Sequence, residues 1–348
     1  MSALGLWLAA SVSALACDAE HDQRPPYVPP ASDDGVPGDD GASEDSDGDT
    51  AGAGLGDCAE VEVELHTVSP TIVVLVDRSW SMTEDFAGAE RWGAVYRTLL
   101  HPDTGVVTRL QSQVEFGLTL FTSKNGNDGG ECPILTEVEP LLDGAEAIDA
   151  VLASKRPVDE GPTGAALAMT ASALADRPTT GPKAIVLATD GEPDTCDQPN
   201  PDEGQPEALD AAALAYELGI ETFVVSVGDD VSEEHLQRMA NVGVGRPADS
   251  PDAAPYYKAL DHAELVAAFD DVVSALVRCD ATIEGMVDPD KVCTGTVRLD
   301  GQALECGVDF ELADAQTLVL KGSACEALKA GGTHALEGAW PCDAVHIP

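Results

Sequence analysis

The chain is poor in basic residues and in aromatic side chains. It has 18 Lys and Arg against 63 Asp and Glu, a net charge of −45, and only 4% of its residues are aromatic. The charge argues against nucleic acid as a partner, because phosphate binding needs a basic face, and it disfavours electrostatic docking on anionic lipid. The 44% hydrophobic share must come mainly from Ala, Val and Leu, which suits the core of an α/β sheet protein.

The apolar run at the start of the sequence, from Leu4 to Ala16, is too short to span a bilayer. It ends in small residues, which is typical of a signal peptide. The stretch Ala14-Leu15-Ala16-Cys17 resembles a bacterial lipobox, although Ala14 stands where Leu is usual and no Lys or Arg precedes the run. We therefore predict a signal peptide over residues 1–16 and lipidation of Cys17. A simple secretory signal is the alternative.

Residues 17–57 contain almost no large apolar side chains and are rich in Asp, Gly, Pro, Ser and Ala. Such a segment cannot bury enough apolar surface to offset its chain entropy. We predict a disordered acidic linker that tethers the following domain to its lipid anchor in the cell envelope or outer membrane.

Strands and helices alternate in the central part of the sequence, predicted as one domain over residues 58–279. Continuous apolar runs, typical of strands buried on both faces, are Thr71 to Val76, Ala184 to Ala188 and Thr222 to Val227. Helical patterns lie between them at Trp92 to Leu100, Gly164 to Ala175 and Pro206 to Leu218. This alternation predicts a mostly parallel sheet covered by helices on both faces. Val114 to Thr122 and Ile134 to Leu142 are predicted to form a hairpin, which makes one of them an antiparallel edge strand.

Acidic and hydroxyl residues follow two of these strands and begin one helix. Asp77, Ser79 and Ser81 follow the first strand, Asp190 follows the strand that starts at Ala184, and Thr163 precedes a helix. Ligands of open α/β sheets bind beyond the carboxyl ends of the strands, so these side chains are expected at one edge. Hard oxygen donors of modest total charge suit Mg²⁺ or Mn²⁺ rather than a soft metal.

The pattern Asp77-x-Ser79-x-Ser81, followed by Thr163 and then Asp190, resembles the metal-ion-dependent adhesion site of von Willebrand factor A domains. The resemblance covers about residues 58–279 and implies a three-layer, doubly wound, Rossmann-like α/β fold. It also implies that the ion keeps one position open for a Glu or Asp carboxylate of a protein partner. Trp80 stands where Gly is common in the family, so it either lines the partner-binding surface or packs beside the loop.

Nine cysteines are present, and eight remain if Cys17 carries lipid. In an exported protein they should form disulfide bonds. The expected topology favours a Cys132–Cys196 bond at the metal edge and a Cys58–Cys279 bond between the ends of the domain.

Residues 280–348 are predicted to be a small β-rich unit stapled by disulfide bonds. Val297 to Leu304 reads as a hairpin with Asp300-Gly301 at its turn, Thr317 to Leu320 as a strand and Ala324 to Leu328 as a short helix. The pairing among Cys293, Cys306, Cys325 and Cys342 stays open. A zinc site is the alternative, although no Cys-x-x-Cys occurs among them.

The function predicted from these features is metal-dependent capture of a protein ligand at the cell surface or in the envelope. The alternative is a structural envelope scaffold whose metal site only stabilises the fold. An enzyme is not predicted, because no general base or nucleophile–base pair stands out and the seven His residues lack zinc spacing.

Overall fold

The structure is a computed structural model of the chain, and it describes residues 60–124, 130–179, 181–197 and 203–346. The predicted signal peptide, Cys17, the acidic linker and Cys58 lie outside the described residues. No helix within the described ranges is long and apolar enough to cross a membrane.

The strands are β1 (Val61–Thr67), β2 (Thr71–Asp77), β3 (Asp85–Phe86), β4 (Ala89–Glu90), β5 (Glu115–Lys124), β6 (Glu131–Leu141), β7 (Lys183–Thr189), β8 (Ile220–Val227), β9 (Tyr257–Ala259), β10 (Asp280–Ile283), β11 (Met286–Val287), β12 (Thr296–Leu299), β13 (Gln302–Ala303), β14 (Phe310–Asp314), β15 (Thr317–Leu320), β16 (Leu336–Trp340) and β17 (Val345–His346). The α-helices are α1 (Arg91–Leu100), α2 (Val106–Leu110), α3 (Ala145–Ser154), α4 (Thr163–Ala175), α5 (Gln205–Glu217), α6 (Glu233–Gly243), α7 (His262–Leu276) and α8 (Gly322–Lys329).

The first sheet has the strand order β6-β5-β2-β7-β8-β9. All neighbouring pairs are parallel except β5 and β6, which are antiparallel, so the predicted hairpin and its antiparallel edge are confirmed. The strand β2 lies between β5 and β7 and is buried along its whole length. Its unbroken apolar sequence follows from this central position, because helices cover both faces of the sheet.

Side chains of β2 alternate between two separate cores. Ile72, Val74 and Val76 belong to a core shared with α1, α2, α3 and α7. Val73 and Leu75 belong to a core on the opposite face, shared with α4, α5 and α6. The three-layer, doubly wound α/β fold predicted from the sequence is therefore confirmed.

The second sheet is antiparallel, with the order β13-β12-β16-β1-β10-β15-β14. Its core holds the buried side chains of Trp340, Phe310 and Leu328, the last of which comes from α8. The hairpin, strand and helix predicted for the C-terminal unit are all present. They make up a β-rich unit as expected.

The strand β1 differs from the sequence-based division of the chain. It lies inside the range predicted for the first domain, yet it pairs with β10 and β16 in the second sheet. Its alternating sequence VEVELHT has the pattern of a strand with one solvated face, whereas the first sheet is covered on both faces. The first domain therefore starts near Thr71. The second unit combines β1, which precedes this domain in the sequence, with the strands that follow it from β10 onward.

One of the two predicted disulfide pairings is present, and the other is wrong. Cys132 is bonded to Cys196, as predicted. Cys279 is bonded to Cys325, so the predicted Cys58–Cys279 bond is wrong. The reason is that α7 leads directly into β10, which places Cys279 inside the second unit, beside α8. Cys293 is bonded to Cys306, and Cys342 is also disulfide-bonded.

We expect the Cys279–Cys325 bond to contribute more stability than the Cys293–Cys306 bond. The two bonds close loops with sequence separations of 46 and 13 residues. Chain entropy then gives about 4 and about 3 kcal/mol respectively. Urea unfolding of the double variants Cys279→Ser/Cys325→Ser and Cys293→Ser/Cys306→Ser measures both values. The opposite ranking would contradict the loop-entropy argument.

Candidate functional site

Four elements bring the predicted metal-binding residues to one end of the first sheet. Asp77 ends β2, Asp190 directly follows β7, and Thr163 begins α4. Ser81 lies in a 3-10 helix, Trp80–Thr83, that follows Ser79. Because β2 and β7 are parallel neighbours, their carboxyl ends coincide. We call Asp77, Ser79, Ser81, Thr163 and Asp190 the oxygen cluster.

Hydrogen bonds connect four members of the oxygen cluster. The backbone N–H of Ser79 donates to Asp77 Oδ1 at 2.8 Å. The hydroxyl oxygens of Ser79 and Ser81 lie 2.9 Å apart, and the Ser81 hydroxyl donates to Asp190 Oδ1 at 2.8 Å. Asp77, Ser79 and Asp190 are buried, and Ser81 is half-buried. The two carboxylates are therefore joined through the backbone N–H and hydroxyl of Ser79 and the hydroxyl of Ser81.

Thr163 lies at the same end of the sheet, but its hydrogen bonds are to Gly161 and not to the other members of the oxygen cluster. Its N–H and its hydroxyl both donate to the carbonyl oxygen of Gly161, at 2.8 and 3.3 Å. Gly161 lies against Asp77: a methyl group on Gly161 would be 3.1 Å from Asp77 Oδ2. A side chain at position 161 would therefore press on this carboxylate, and glycine allows the Thr163 loop to approach it closely.

Thr189 and Asp194 also support the oxygen cluster, although neither belongs to the sequence motif. The Thr189 hydroxyl donates to Asp77 Oδ2 at 2.7 Å. Asp194 Oδ2 accepts from the N–H of Gly161 at 3.2 Å, and the N–H of Asp194 donates to the Gly161 carbonyl at 3.1 Å. Burial raises the pKa of Asp194 to about 6, with Glu160 adding to the effect. Both residues flank Asp190 in the sequence, and this proximity was the available signal.

Arg91 is a further neighbour that the sequence did not reveal. It is the first residue of α1 and is buried, and its Nη1 donates to Asp190 Oδ2 at 2.8 Å. It also forms an ion pair with Asp230, in the loop after β8. The sequence pattern placed the start of this helix at Trp92, so a buried charge at its first position was not expected.

The two carboxylates of the oxygen cluster are unfavourably placed for ionisation. Burial and the charge of Asp190 raise the pKa of Asp77 to about 7. Burial keeps the pKa of Asp190 above its ordinary value, although hydrogen bonds from Arg91 and Ser81 act in the opposite direction. Two desolvated carboxylates that repel each other would be stabilised by a cation. The carboxylate and hydroxyl donors are the hard oxygens that Mg²⁺ and Mn²⁺ prefer, so the residues present fit such an ion.

Two features form the rim of the oxygen cluster. The side chain of Trp80, between Ser79 and Ser81, is 67% exposed, so it projects to the surface instead of filling a core. The Cys132–Cys196 bond joins the start of β6 to the loop that follows Asp190. This bond braces the loop that carries Asp194.

No match was found among curated proteins. Among solved structures, the pilus adhesin SpaC from Lactobacillus rhamnosus GG matches with 17% identity and a TM-score of 0.47, over 81% of this chain and 40% of SpaC. This chain thus spans less than half the length of SpaC. Manganese-loaded Plasmodium vivax TRAP protein matches with 18% identity and a TM-score of 0.44, over 69% and 90% of the two chains.

A third structure, the vWF domain of the type V pili tip protein Mfa5 from Porphyromonas gingivalis, matches with 12% identity and a TM-score of 0.42. The match covers 60% of this chain and 95% of that one. The sequence profile of the von Willebrand factor type A domain matches residues 71–266, which is more than half of the chain. These residues include β2 to β9 and every member of the oxygen cluster. The chain therefore belongs to the von Willebrand factor type A domain family.

Proposed function

We propose that this chain is an exported binding protein that captures a protein ligand through Mg²⁺ or Mn²⁺ at a metal-ion-dependent adhesion site formed by the oxygen cluster. The observation that carries the proposal is that Asp77 and Asp190 are buried together and joined through Ser79 and Ser81, and that burial raises the pKa of both carboxyls. A divalent ion supplies the missing positive charge and a Lewis-acidic position for one external oxygen ligand.

In this proposal the hydroxyls of Ser79, Ser81 and Thr163 and the two carboxylates hold the ion, directly or through water. Thr189 and Asp194 act on the ion only through Asp77 and Gly161, which they hydrogen-bond. A Glu or Asp carboxylate of the partner fills the remaining position. Trp80 contacts the partner beside that carboxylate, because an exposed indole offers a large apolar area with a polar tip.

The proposal includes attachment to the cell envelope by a lipid on Cys17, with residues 17–57 as the tether. It includes no catalytic role. The competing function is an envelope scaffold in which the ion stabilises the fold and binds no external carboxylate.

The water-proton relaxation rate of the Mn²⁺-loaded chain distinguishes these two functions. A carboxylate that fills an open position displaces a water molecule from the ion, so titration with glutarate should lower the relaxation enhancement. Glutaramide, which has the same carbon chain and no carboxylate, is the matched control and should leave the enhancement unchanged. A bound ion that does not respond to glutarate would favour the scaffold.

A further inference from the structure

Arg91 is a buried charge that contacts the oxygen cluster. The residue is 5% exposed in a chain with a net charge of −45. Its Nη1 lies 2.8 Å from Asp190 Oδ2 and 3.3 Å from Glu84 Oε2, and its Nη2 contacts Asp230 Oδ2. The guanidinium therefore links the loop after β2, the end of β7 and the loop after β8.

The loop after β8 leaves room for this guanidinium. Gly228 has φ +114°, a backbone conformation that L side chains rarely adopt. A methyl group on Gly228 would lie 3.1 Å from Arg91 Nη2 and 3.2 Å from Nε. The guanidinium is thus packed against bare backbone, which limits its freedom to move away from Asp190.

The contacts of Arg91 divide the two oxygens of Asp190 between different partners. Oδ2 accepts the charge-assisted hydrogen bond from Arg91, whereas Oδ1 accepts from Ser81 within the oxygen cluster. A carboxylate held in this way has one oxygen directed to the cluster and the other committed to the guanidinium. Ca²⁺ favours six to eight oxygen ligands and often takes both oxygens of a carboxylate, whereas Mg²⁺ needs an octahedral set with single oxygens and waters.

We propose that Arg91 is a positioning residue that restricts Asp190 to one oxygen and thereby makes the site select Mg²⁺ and Mn²⁺ over Ca²⁺. This inference rests on the proposed function, because it presupposes an ion at the oxygen cluster. It differs from the alternative in which Arg91 is only a buried ion pair that holds α1 to the sheet. That alternative predicts a loss of stability without a change in ion preference.

The test is calorimetric titration of the full chain with Mg²⁺, Mn²⁺ and Ca²⁺. Arg91→Met removes the guanidinium and keeps an unbranched side chain. Its preference for Mg²⁺ over Ca²⁺, expressed as a ratio of dissociation constants, should fall about tenfold, the low end of the ~10–100-fold loss in metal affinity that follows removal of an outer partner of a ligand. Arg109→Met is the control, because Arg109 pairs with Asp270 on α7 and contacts no member of the oxygen cluster. Its ratio should equal that of the wild type.

Asp230→Asn is a second variant, in case Arg91→Met does not fold. Asp230 is 54% exposed, and its loss frees one end of the guanidinium, so the ratio should fall by a smaller factor. An unchanged ratio in the folded variants, with Mg²⁺ still bound, would overturn the role of Arg91 alone. If the wild type and all variants bind none of the three ions, the metal site itself is wrong and both proposals fall.

Discussion

Asp77→Asn should abolish high-affinity binding of Mg²⁺ while leaving the metal-free chain as stable as the wild type or more stable. Loss of an outer partner of a metal ligand already costs ~10–100-fold in affinity, so loss of a ligand charge should cost at least about 100-fold. The substitution should nevertheless stabilise the metal-free chain, because the pKa of Asp77 is raised to about 7 in the folded chain. Its ionised form is therefore unfavourable when no ion is bound.

Asparagine can keep the local hydrogen bonds of Asp77. Its side-chain oxygen can accept from the N–H of Ser79, as Asp77 Oδ1 does. Its amide can donate to the hydroxyl of Thr189, whose own proton can then turn to the carbonyl of Gly191, 3.4 Å away. The substitution thus removes a buried charge without leaving a polar group unpaired.

Calorimetry with Mg²⁺ and urea unfolding in EDTA at pH 8 measure the two effects of Asp77→Asn. A carboxyl whose pKa is raised by folding destabilises the folded state above that pKa and not below its ordinary value, so pH 8 is where the gain should be largest. Asp85→Asn is a matched control, because Asp85 is exposed on the hairpin that follows the 3-10 helix. Mg²⁺ binding by Asp77→Asn equal to that of the wild type would move the metal site elsewhere.

Thr163→Ala should remove the carboxylate response of the Mn²⁺-loaded chain with little effect on folding. The hydroxyl of Thr163 makes one hydrogen bond, 3.3 Å long, to the carbonyl of Gly161. Its loss should cost about 1 kcal/mol of stability. The hydroxyl does not cap α4, whose N-cap residue is Pro162. If the Thr163 hydroxyl holds the ion as proposed, its loss changes the charge and geometry that an external carboxylate meets there.

The same helix supplies a matched control for Thr163→Ala. Thr170 lies seven residues further along α4, on the same face, and its buried hydroxyl has no hydrogen-bond partner among the described residues. Thr170→Ala should keep the glutarate response of the Mn²⁺-loaded chain. If Thr163→Ala keeps this response while its melting temperature falls sharply, the site is structural and the adhesion proposal is wrong.

The local sequence was sufficient to locate the oxygen cluster at the end of the first sheet. Buried parallel strands have continuous apolar sequences, and polar residues directly after them must lie at the carboxyl edge. Asp77 and Asp190 follow two such runs, and β2 and β7 are indeed neighbours. The antiparallel edge strand β6 and the Cys132–Cys196 bond follow from the same reasoning, because each depends on which end of the sheet a loop occupies.

The partners of these residues were decided by the tertiary structure. Arg91 and Asp190 are 99 residues apart, and nothing in the sequence near Arg91 indicates that its charge is buried against a carboxylate. In the same way, β1 pairs with β10 and β16 instead of joining the first domain. Cys279 directly precedes β10 and is bonded to Cys325 in the second unit. Periodicity determines which face of an element is apolar, but it does not determine which distant element covers that face. Strand pairing, disulfide pairing and buried ion pairs all depend on that second choice, which only the packed chain makes.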